Sequence, residues 1–457
     1  MGTEKKGNDL MRLTARSKLS ILLMDLLLFF LSLSFSYYLR LQGPAESILS
    51  SFGFWVIAVS NLAGMYIFGT YDVDKDAPFL KLVSRMILAF LASGVVVLSI
   101  HYLAQKDRSG IFGRGVFLGA YCIYFFILTT FRWFLWKNFQ NSLRSLKFLF
   151  ITTNQDYPWL EKDLVKNQFS FSKEFFLIDD FSGQQFQNAL NEKLESKQWN
   201  IVMALKAPQI SQQIADFFFT KKLHGFQIFD LISFYDVHWR KLPIFFLEHP
   251  WFILSRDFER HQNPILLRWK RVLDIGLALI LLLLALPIML LSALAVSLDS
   301  PGPIFFRQIR TGKDGKEFWI YKFRSMRQDA EKNGAQWAQQ KDPRITRVGN
   351  FLRITRIDEL PQLWNVFTGD MSFIGPRPER PEFNVQLEKE IPYYQLRHLI
   401  RPGVTGWAQV RYPYGASVED AKEKLQFDLY YLQNMSFWMD LTIILKTVNV
   451  VLFGKGR

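Results

Sequence analysis

The sequence predicts three successive parts: a membrane bundle of four helices, a Rossmann-like α/β domain, and a mostly α-helical, membrane-embedded domain with a re-entrant helix. Three observations support this fold class. Long apolar runs fill the first third of the 457 residues, short apolar stretches alternate with polar segments in the middle, and another long apolar run opens the last part. We place the parts at residues 1–140, 141–262 and 263–457.

The composition restricts the class of protein. Hydrophobic residues make up 49% of the chain and charged residues 21%, which excludes a disordered or low-complexity protein. The formal net charge of +14 suits anionic partners such as a lipid surface or phosphorylated substrates. Nucleic acid would account for the charge but not for the apolar runs, so we expect no nucleic-acid partner. The single cysteine, Cys122, excludes an intrachain disulfide and a cysteine-based zinc site.

The membrane bundle is predicted by apolar runs that each approach the ~20 residues needed to cross a bilayer. These runs are Leu19–Tyr38, Phe52–Phe68, Met86–Leu103 and Val116–Trp136. More runs follow the first one and no small-residue site ends it, so we do not expect a cleaved signal peptide. Lysine and arginine are concentrated before the first run, between the second and third, and after the fourth. This asymmetry predicts that the N-terminus and everything after residue 137 are cytosolic.

Two charged residues lie inside these runs, Asp25 in the first and Arg132 in the fourth. At 1.5 Å per residue, both are predicted roughly 8–11 Å below the cytosolic ends of their helices. An isolated charge at that depth is costly, so we predict that the two side chains pair and fix the packing of the first span on the fourth. A polar relay is the functional alternative.

The middle part has the pattern of a parallel sheet. Its apolar stretches are Phe148–Thr152, Phe175–Ile178, Ile201–Leu205 and Phe226–Phe229, and they alternate with helix-like segments. That alternation predicts β-α-β units. The segment that follows the first stretch, Thr152–Gln155, lacks the glycines of a dinucleotide-binding fingerprint. This absence favours a spacer or assembly domain, and nucleotide binding remains the alternative.

The apolar run Val272–Leu298 is long enough to cross the membrane, and a fifth transmembrane helix is its simplest interpretation. Both flanks are strongly basic, however, which predicts that both are cytosolic. Pro287, near the middle of the run, removes a backbone hydrogen bond and kinks a helix. We therefore predict a re-entrant helix around residues 270–298 with Pro287 as its hinge. It would hold the last part against anionic headgroups.

A carboxylate pair, Asp358-Glu359, is surrounded by basic residues in the last part. Apolar residues at helical spacing follow the pair, so we expect it at a helix N-terminus, where the dipole keeps carboxylates ionised and free N–H groups attract phosphate. The nearby arginines are Arg344, Arg347, Arg353, Arg356 and Arg377. A structural cap is the simpler interpretation. Ionised carboxylates together with guanidinium groups are nevertheless what a magnesium-diphosphate site needs, and an ionised aspartate can attack phosphorus.

The chain from Lys270 onward resembles the bacterial sugar transferases known as monotopic phosphoglycosyl transferases. The resemblance is carried by ordered motifs at Lys270–Asp274, Gly302–Gln308, Lys322–Met326, Asp358–Val366, Gly375–Pro378 and Arg401–Trp407. The whole chain, with spans and a degenerate α/β segment ahead of these motifs, is similar to the large members that initiate exopolysaccharide, capsule or O-antigen synthesis. Residues 263–457 would then be the catalytic domain.

The resemblance implies an enzyme of the bacterial inner membrane with its catalytic domain on the cytosolic face. Such enzymes transfer a sugar 1-phosphate from a UDP-sugar to undecaprenyl phosphate, release UMP and use Mg²⁺. Asp358 would be the nucleophile, Glu359 would hold the magnesium ion with it, and Arg353 and Arg377 would bind phosphate. We also assign phosphate binding to Lys322, Arg324 and Arg356.

The sequence leaves alternatives for the sugar, the oligomeric state and the class of function. Many family members have Asn-Gly-Arg where this chain has Arg411-Tyr412-Pro413, so the sugar is not assigned. A homodimer is one assembly that this sequence is compatible with. A membrane-anchored nucleotide-sugar dehydratase would need a glycine fingerprint within residues 148–158, which this chain lacks. A non-catalytic scaffold or regulator of polysaccharide assembly would have no use for Asp358, Glu359 and the arginines together.

Overall fold

A computed structural model describes residues 15–41, 52–71, 79–103, 114–144, 146–181, 184–195, 199–327, 342–415 and 417–452, without residues 168, 170 and 414. The chain forms two compact units, Met1–His238 and Trp239–Arg457. The described residues are mostly helical, and the first unit contains a small parallel sheet. The predicted domain boundaries near residues 140 and 262 remain predictions.

The first unit begins with helices at all four predicted apolar runs: α1 (Ala15–Leu41), α2 (Phe52–Ile67), α3 (Phe79–Leu103) and α4 (Arg114–Arg144). Helix α1 packs along α4, and α2 packs along α3. Aromatic side chains such as Phe29, Phe54 and Tyr124 fill the space between the helices. Large apolar side chains also point away from the bundle, among them Leu118 and Phe126. An apolar outer surface of this kind is stable in lipid rather than in water, so the chain is a membrane protein.

The lengths of these helices change one detail of the prediction. Helices long and apolar enough to cross a membrane include Ser20–Leu39, Phe79–Val97 and Leu118–Asn138 in this unit. Helix α2 has 16 residues and rises only ~24 Å, which is short of the ~30 Å hydrocarbon core. The fourth candidate span among the described residues is Pro264–Asp299 in the second unit. Three of the four candidate spans therefore coincide with predicted runs, and the fourth is the run for which we predicted a re-entrant helix.

The α/β part of the first unit contains the predicted parallel sheet. Its strands and helices are β1 (Lys147–Thr152), α5 (Tyr157–Lys166), β2 (Ser172–Leu177), α6 (Gln184–Glu195), β3 (Asn200–Met203), α7 (Gln212–Leu223), β4 (Ile228–Asp230) and α8 (Leu231–Trp239). The strand order is β2-β1-β3-β4, with Phe150 of the central strand β1 paired to Phe175 and Val202. Leu149, Ile151 and Ile201 are fully buried beneath the helices.

The loops at the carboxyl edge of this sheet bind each other. Asp156 accepts hydrogen bonds from Thr153 Oγ1 (3.1 Å) and Gln209 Nε2 (3.0 Å), which joins the loops that follow β1 and β3. Asp179 accepts a hydrogen bond from the Asn154 backbone N–H (2.6 Å). In doubly wound sheets this edge holds ligands. Here carboxylates occupy part of that edge, which disfavours an anionic nucleotide phosphate.

The second unit begins with α9 (His249–Leu254) and the 36-residue helix α10 (Pro264–Asp299). The Asn263 side chain caps α10 by accepting hydrogen bonds from the Ile265 and Leu266 N–H groups. Helical structure continues through Pro287, so the proline does not end the helix. Whether the helix returns to the same side of the membrane remains a prediction. The predicted hairpin follows as β5 (Phe305–Thr311) and β6 (Glu317–Phe323), antiparallel, with positive φ angles at Asp314 and Gly315.

The rest of the second unit consists of short elements and two longer helices. They are α11 (Arg347–Thr355), α12 (Gln362–Thr368), β7 (Ser372–Ile374), α13 (Pro381–Glu390), β8 (Gly403–Thr405), α14 (Trp407–Arg411), α15 (Val418–Gln433) and α16 (Phe437–Leu452). Strands β7 and β8 pair in parallel. Gly375 and Gly403 approach so closely that a Cβ on Gly403 would lie 2.1 Å from the Gly375 backbone nitrogen. Only glycine fits this contact, which fixes the loop that carries Arg377.

Candidate active site

The carboxylate pair lies in a 3₁₀ turn, Ile357–Glu359, between α11 and α12. Arg356 begins the turn with a φ angle of 61°, in the left-handed region that ends α11. Pro361 occupies the N-cap position of α12, whose first helical residue is Gln362. The pair is therefore in the turn that leads into α12 rather than inside the helix, close to the predicted position.

Glu359 is held by basic side chains from separate elements. Its Oε1 accepts hydrogen bonds from Lys322 Nζ on β6 (3.0 Å) and Arg377 Nη2 after β7 (2.9 Å), and Arg356 Nη1 lies 3.8 Å away. Burial opposes the charged form of Glu359, but these three cations outweigh it and hold the pKa of the carboxyl well below its usual value. Burial also lowers the pKa of the Lys322 ammonium, against the attraction of Glu359.

Asp358 has a different environment from its neighbour. Its side chain is 6% exposed, and its Oδ1 atom has no hydrogen-bond partner among the described residues. Burial, together with the charge of Glu359, raises the pKa of Asp358, while Lys322, Arg353 and Arg356 act in the opposite direction. From the sequence we expected both carboxylates to be held ionised alike. The structure instead separates their pKa values in opposite directions.

The structure places the other predicted residues in three different settings. Arg353, in the last turn of α11, has no hydrogen-bond or ion-pair partner among the described residues, and its charge acts on Asp358. Arg324 donates hydrogen bonds to the carbonyl oxygens of Ser300 (2.5 Å), Pro301 (3.1 Å) and Val296 (3.3 Å) at the end of α10. Arg324 therefore caps α10, and none of these contacts brings it to the carboxylate pair. Pro287 lies within α10.

Two buried residues, Asn365 and Arg397, support the site although we assigned them no role there from the sequence. Asn365 on α12 donates to the Trp319 carbonyl (2.7 Å) and accepts from the Tyr321 N–H (3.2 Å), which ties α12 to the strand that carries Lys322. Arg397 donates to the Arg377 carbonyl (2.9 Å) and pairs with Asp428 (3.0 Å). Asn365 belonged to a recognised motif, whereas nothing in the sequence pattern distinguished Arg397.

Carboxylate oxygens of Asp358 and Glu359 are the candidate ligands for a divalent cation. The described residues contain no group of three or more histidine, cysteine, aspartate or glutamate side chains that could hold a metal by themselves. A hard cation such as Mg²⁺ is often bound through one or two carboxylates plus substrate phosphates. The unpartnered, buried Oδ1 of Asp358 fits such a ligand set.

Comparison with known proteins identifies the family. Residues 266–454 match the family model described as bacterial sugar transferase. The exopolysaccharide production protein PSS of Rhizobium leguminosarum bv. phaseoli is 45% identical over 194 residues, which cover 97% of that protein and 41% of this chain. The chain belongs to the bacterial sugar transferase family. Its recognition from the ordered motifs is thus confirmed.

Other relatives match over a smaller share of their length. The UDP-N-acetylgalactosamine-undecaprenyl-phosphate N-acetylgalactosaminephosphotransferase of Aeromonas hydrophila is 50% identical over 194 residues, 42% of this chain and 46% of that relative. The UDP-glucose:undecaprenyl-phosphate glucose-1-phosphate transferase of Escherichia coli K12 is 48% identical over 181 residues, 39% of each chain. The chain thus matches less than half of the length of these two relatives.

Proposed function

We propose that this bacterial sugar transferase moves a sugar 1-phosphate from a UDP-sugar to undecaprenyl phosphate, giving undecaprenyl-diphosphate-sugar and UMP. The observation that carries the proposal is the buried Oδ1 of Asp358, which has no hydrogen-bond partner in the described part of the chain. It lies beside Glu359, which Lys322 and Arg377 hold in place. Relatives are named for the same transfer, with N-acetylgalactosamine in one case and glucose in another.

The chemistry proceeds in two displacements at one phosphorus atom. A carboxylate oxygen of Asp358 attacks the sugar-bearing phosphorus of the UDP-sugar, and the bond from this phosphorus to the UMP oxygen breaks. UMP leaves with the electron pair. A phosphate oxygen of undecaprenyl phosphate then attacks the same phosphorus, and the bond to Asp358 breaks, which restores the carboxylate. Ping-pong kinetics follow from this covalent aspartyl-phosphosugar intermediate.

The basic residues around the pair stabilise the phosphoryl group during transfer. Arg353 has its guanidinium free of partners among the described residues, so it can bind a phosphate oxygen without breaking an existing contact. Lys322, Arg356 and Arg377 share Glu359, and Lys322 and Arg356 also hold positive charge beside Asp358. Fixed cations at the position where charge develops are an effective way to lower the barrier.

Asp358 and Glu359 would also hold Mg²⁺. When bound, the ion neutralises diphosphate charge and assists departure of UMP. The low pKa of Glu359 suits this role, because a ligand must be deprotonated to bind a metal.

The membrane arrangement forms part of the proposal. The described apolar helices and the basic flanks of α10 support a multi-pass protein of the bacterial inner membrane, with α10 re-entrant at Pro287 and the site on the cytosolic face. The sheet order β2-β1-β3-β4 supports a Rossmann-like domain. The lack of glycine in Thr152–Gln155 supports a role in assembly rather than in nucleotide binding. The reaction would be the first membrane step of exopolysaccharide, capsule or O-antigen synthesis.

To test the proposal, membranes that contain the full chain are incubated with undecaprenyl phosphate and a panel of radiolabelled UDP-sugars, and the radiolabelled lipid is measured. We expect radiolabelled lipid product from one sugar, release of UMP, and loss of both with Asp358→Asn at an unchanged protein level. A non-catalytic scaffold would give no product from any sugar. Near-normal turnover of Asp358→Asn, or strictly sequential kinetics, would exclude the covalent mechanism.

A further inference from the structure

A second basic site lies in the same unit, where α10 begins. A cavity of about 300 Å³ is lined there by residues of the first turns of α10 and of the segment that precedes β8. Its basic lining residues are Arg268, Lys270, Arg271, Lys313 and Arg401. Asp274 is the only carboxylate among the lining residues. The side chains that contact Glu359 do not line this cavity, so it is separate from the candidate active site.

Part of this positive charge is already compensated by the protein. Lys270 pairs with Asp440 at 2.7 Å. Arg271 donates to the carbonyl oxygens of Val366 (2.6 Å) and Phe367 (2.7 Å), which fixes the end of α12. The Asp274 carboxylate accepts a hydrogen bond from the Phe373 N–H (3.0 Å). These contacts shape the wall of the cavity and engage Asp274, the only acid among its described lining residues.

Two guanidinium groups remain uncompensated. Arg268 and Arg401 have no hydrogen-bond or ion-pair partner among the described residues. Arg401 also lies close enough to Arg271 for their like charges to interact unfavourably. An anion bound beside Arg271 and Arg401 would relieve this repulsion. Guanidinium groups bind phosphate oxygens with two parallel hydrogen bonds, so phosphate is the anion that Arg268 and Arg401 are suited to bind.

The cavity is positioned at the boundary between polar and apolar surface. Trp269, between the two basic residues Arg268 and Lys270, is 65% exposed, and the apolar run of α10 begins at Val272, which is 60% exposed. A tryptophan flanked by basic residues and followed by exposed aliphatic residues is typical of the membrane–water interface. Lipid phosphates lie at that depth.

We propose that this cavity binds the phosphate group of a membrane lipid. Two sources carry this chemistry at the membrane surface, an anionic phospholipid and a polyprenyl phosphate. The proposal rests on the membrane position of α10 and not on the transfer reaction. Lipid binding here would hold the start of α10 at the interface.

The test titrates the detergent-solubilised full chain with phosphatidylglycerol and measures bound lipid by native mass spectrometry. Diacylglycerol, which lacks the phosphate, is the control lipid. We expect Arg401→Gln and Arg268→Gln each to bind phosphatidylglycerol about tenfold more weakly, because each loses a charge-assisted contact. Lys316→Gln is the matched control, since Lys316 is basic and exposed but does not line the cavity.

Two further measurements separate the sources and guard against misfolding. Displacement of phosphatidylglycerol by undecaprenyl phosphate in the wild type, but not in Arg401→Gln, would identify the polyprenyl lipid; no displacement would identify the phospholipid. Arg401→Lys, which keeps the charge, should retain more binding than Arg401→Gln. Unchanged affinity in both glutamine variants, or an equal loss in Lys316→Gln, would overturn the proposal. Failure of sugar transfer in the wild type would not affect this readout.

Discussion

Arg132 on α4 donates a hydrogen bond of 2.5 Å to the Asp25 carboxylate on α1, and both side chains are buried inside the helical bundle. The Tyr71 hydroxyl donates to the same Asp25 oxygen at 2.7 Å, and the Arg132 guanidinium lies 4.8 Å from the Tyr71 ring centroid. The pairing predicted from matched depth is therefore confirmed. It joins two helices that pack along each other, and no group around it belongs to the candidate active site.

We predict that this pair is energetically coupled. Asp25→Asn and Arg132→Gln should each lower the amount of folded protein in the membrane, since each leaves the partner charge buried. The double variant should lose less stability than the sum of the two single variants, by a coupling energy of about 0.5–3 kcal/mol. Thermal unfolding of the purified variants measures this. Strictly additive losses, or a transfer defect at normal protein level, would contradict a purely structural role.

Arg377 and Arg353 are predicted to stabilise the transferred phosphoryl group. Arg377→Ala and Arg353→Ala should each reduce the rate of UMP release by about 10²–10³, as expected for loss of one cation at a developing charge. Arg347→Ala is the control, because Arg347 is exposed at the start of the same helix α11. Steady-state kinetics compare the three variants. Full activity in Arg377→Ala would remove this arginine from the reaction.

Arg324 is predicted to matter for stability rather than for substrate affinity. Arg324→Ala removes the donors that serve carbonyl oxygens at the end of α10, a loss of roughly 1.5–3 kcal/mol for hydrogen bonds from a charged group. The unfolding temperature should fall while the KM for the UDP-sugar stays close to that of the wild type. The reverse pattern, a raised KM at unchanged stability, would support phosphate binding by Arg324.

The raised pKa of Asp358 predicts the pH dependence of the reaction. Attack on phosphorus needs the ionised carboxylate, so activity should be present above this pKa and fall as the pH is lowered through it. The acidic limb of kcat/KM should therefore lie above about 3.9, the ordinary aspartate pKa. Glu359→Gln removes a like charge, so its residual activity should show the limb at lower pH. A limb that does not move would contradict this electrostatic origin.

Pro287 is predicted to return α10 to the cytosol. Lys316→Cys, in a Cys122→Ser background, should react with an impermeant thiol reagent from the cytosolic side alone. Pro287→Leu favours a straight, spanning helix and should increase labelling from outside. Lys222→Cys is the control and should label from the cytosol in both backgrounds. Outside labelling of Lys316→Cys with Pro287 intact would exclude the re-entrant helix.

Much of the architecture follows from local sequence. Apolar runs, the alternation of the α/β part and the hairpin turn depend on residues that are close in the chain, and the corresponding helices and strands are present. Depth in a helix depends only on the rise per residue, which is why Asp25 and Arg132 could be paired. Family membership rests on ordered motifs, which need no structure. The length of α2 was less predictable, since helix ends depend on local competition with loops.

The tertiary structure decided which partners residues of the same charge contact. Lys322 and Arg324 are both basic and two residues apart, so an unbroken strand would place them on one face. Strand β6 ends at Phe323, and the two side chains diverge: Lys322 binds Glu359, whereas Arg324 binds the end of α10. The opposite pKa shifts of the adjacent Asp358 and Glu359 have the same origin. Electrostatic energy depends on distance in space, not in sequence. Lys322 and Arg377 are distant from the pair in sequence but contact the Glu359 carboxylate. The Oδ1 atom of Asp358 has no hydrogen-bond partner among the described residues.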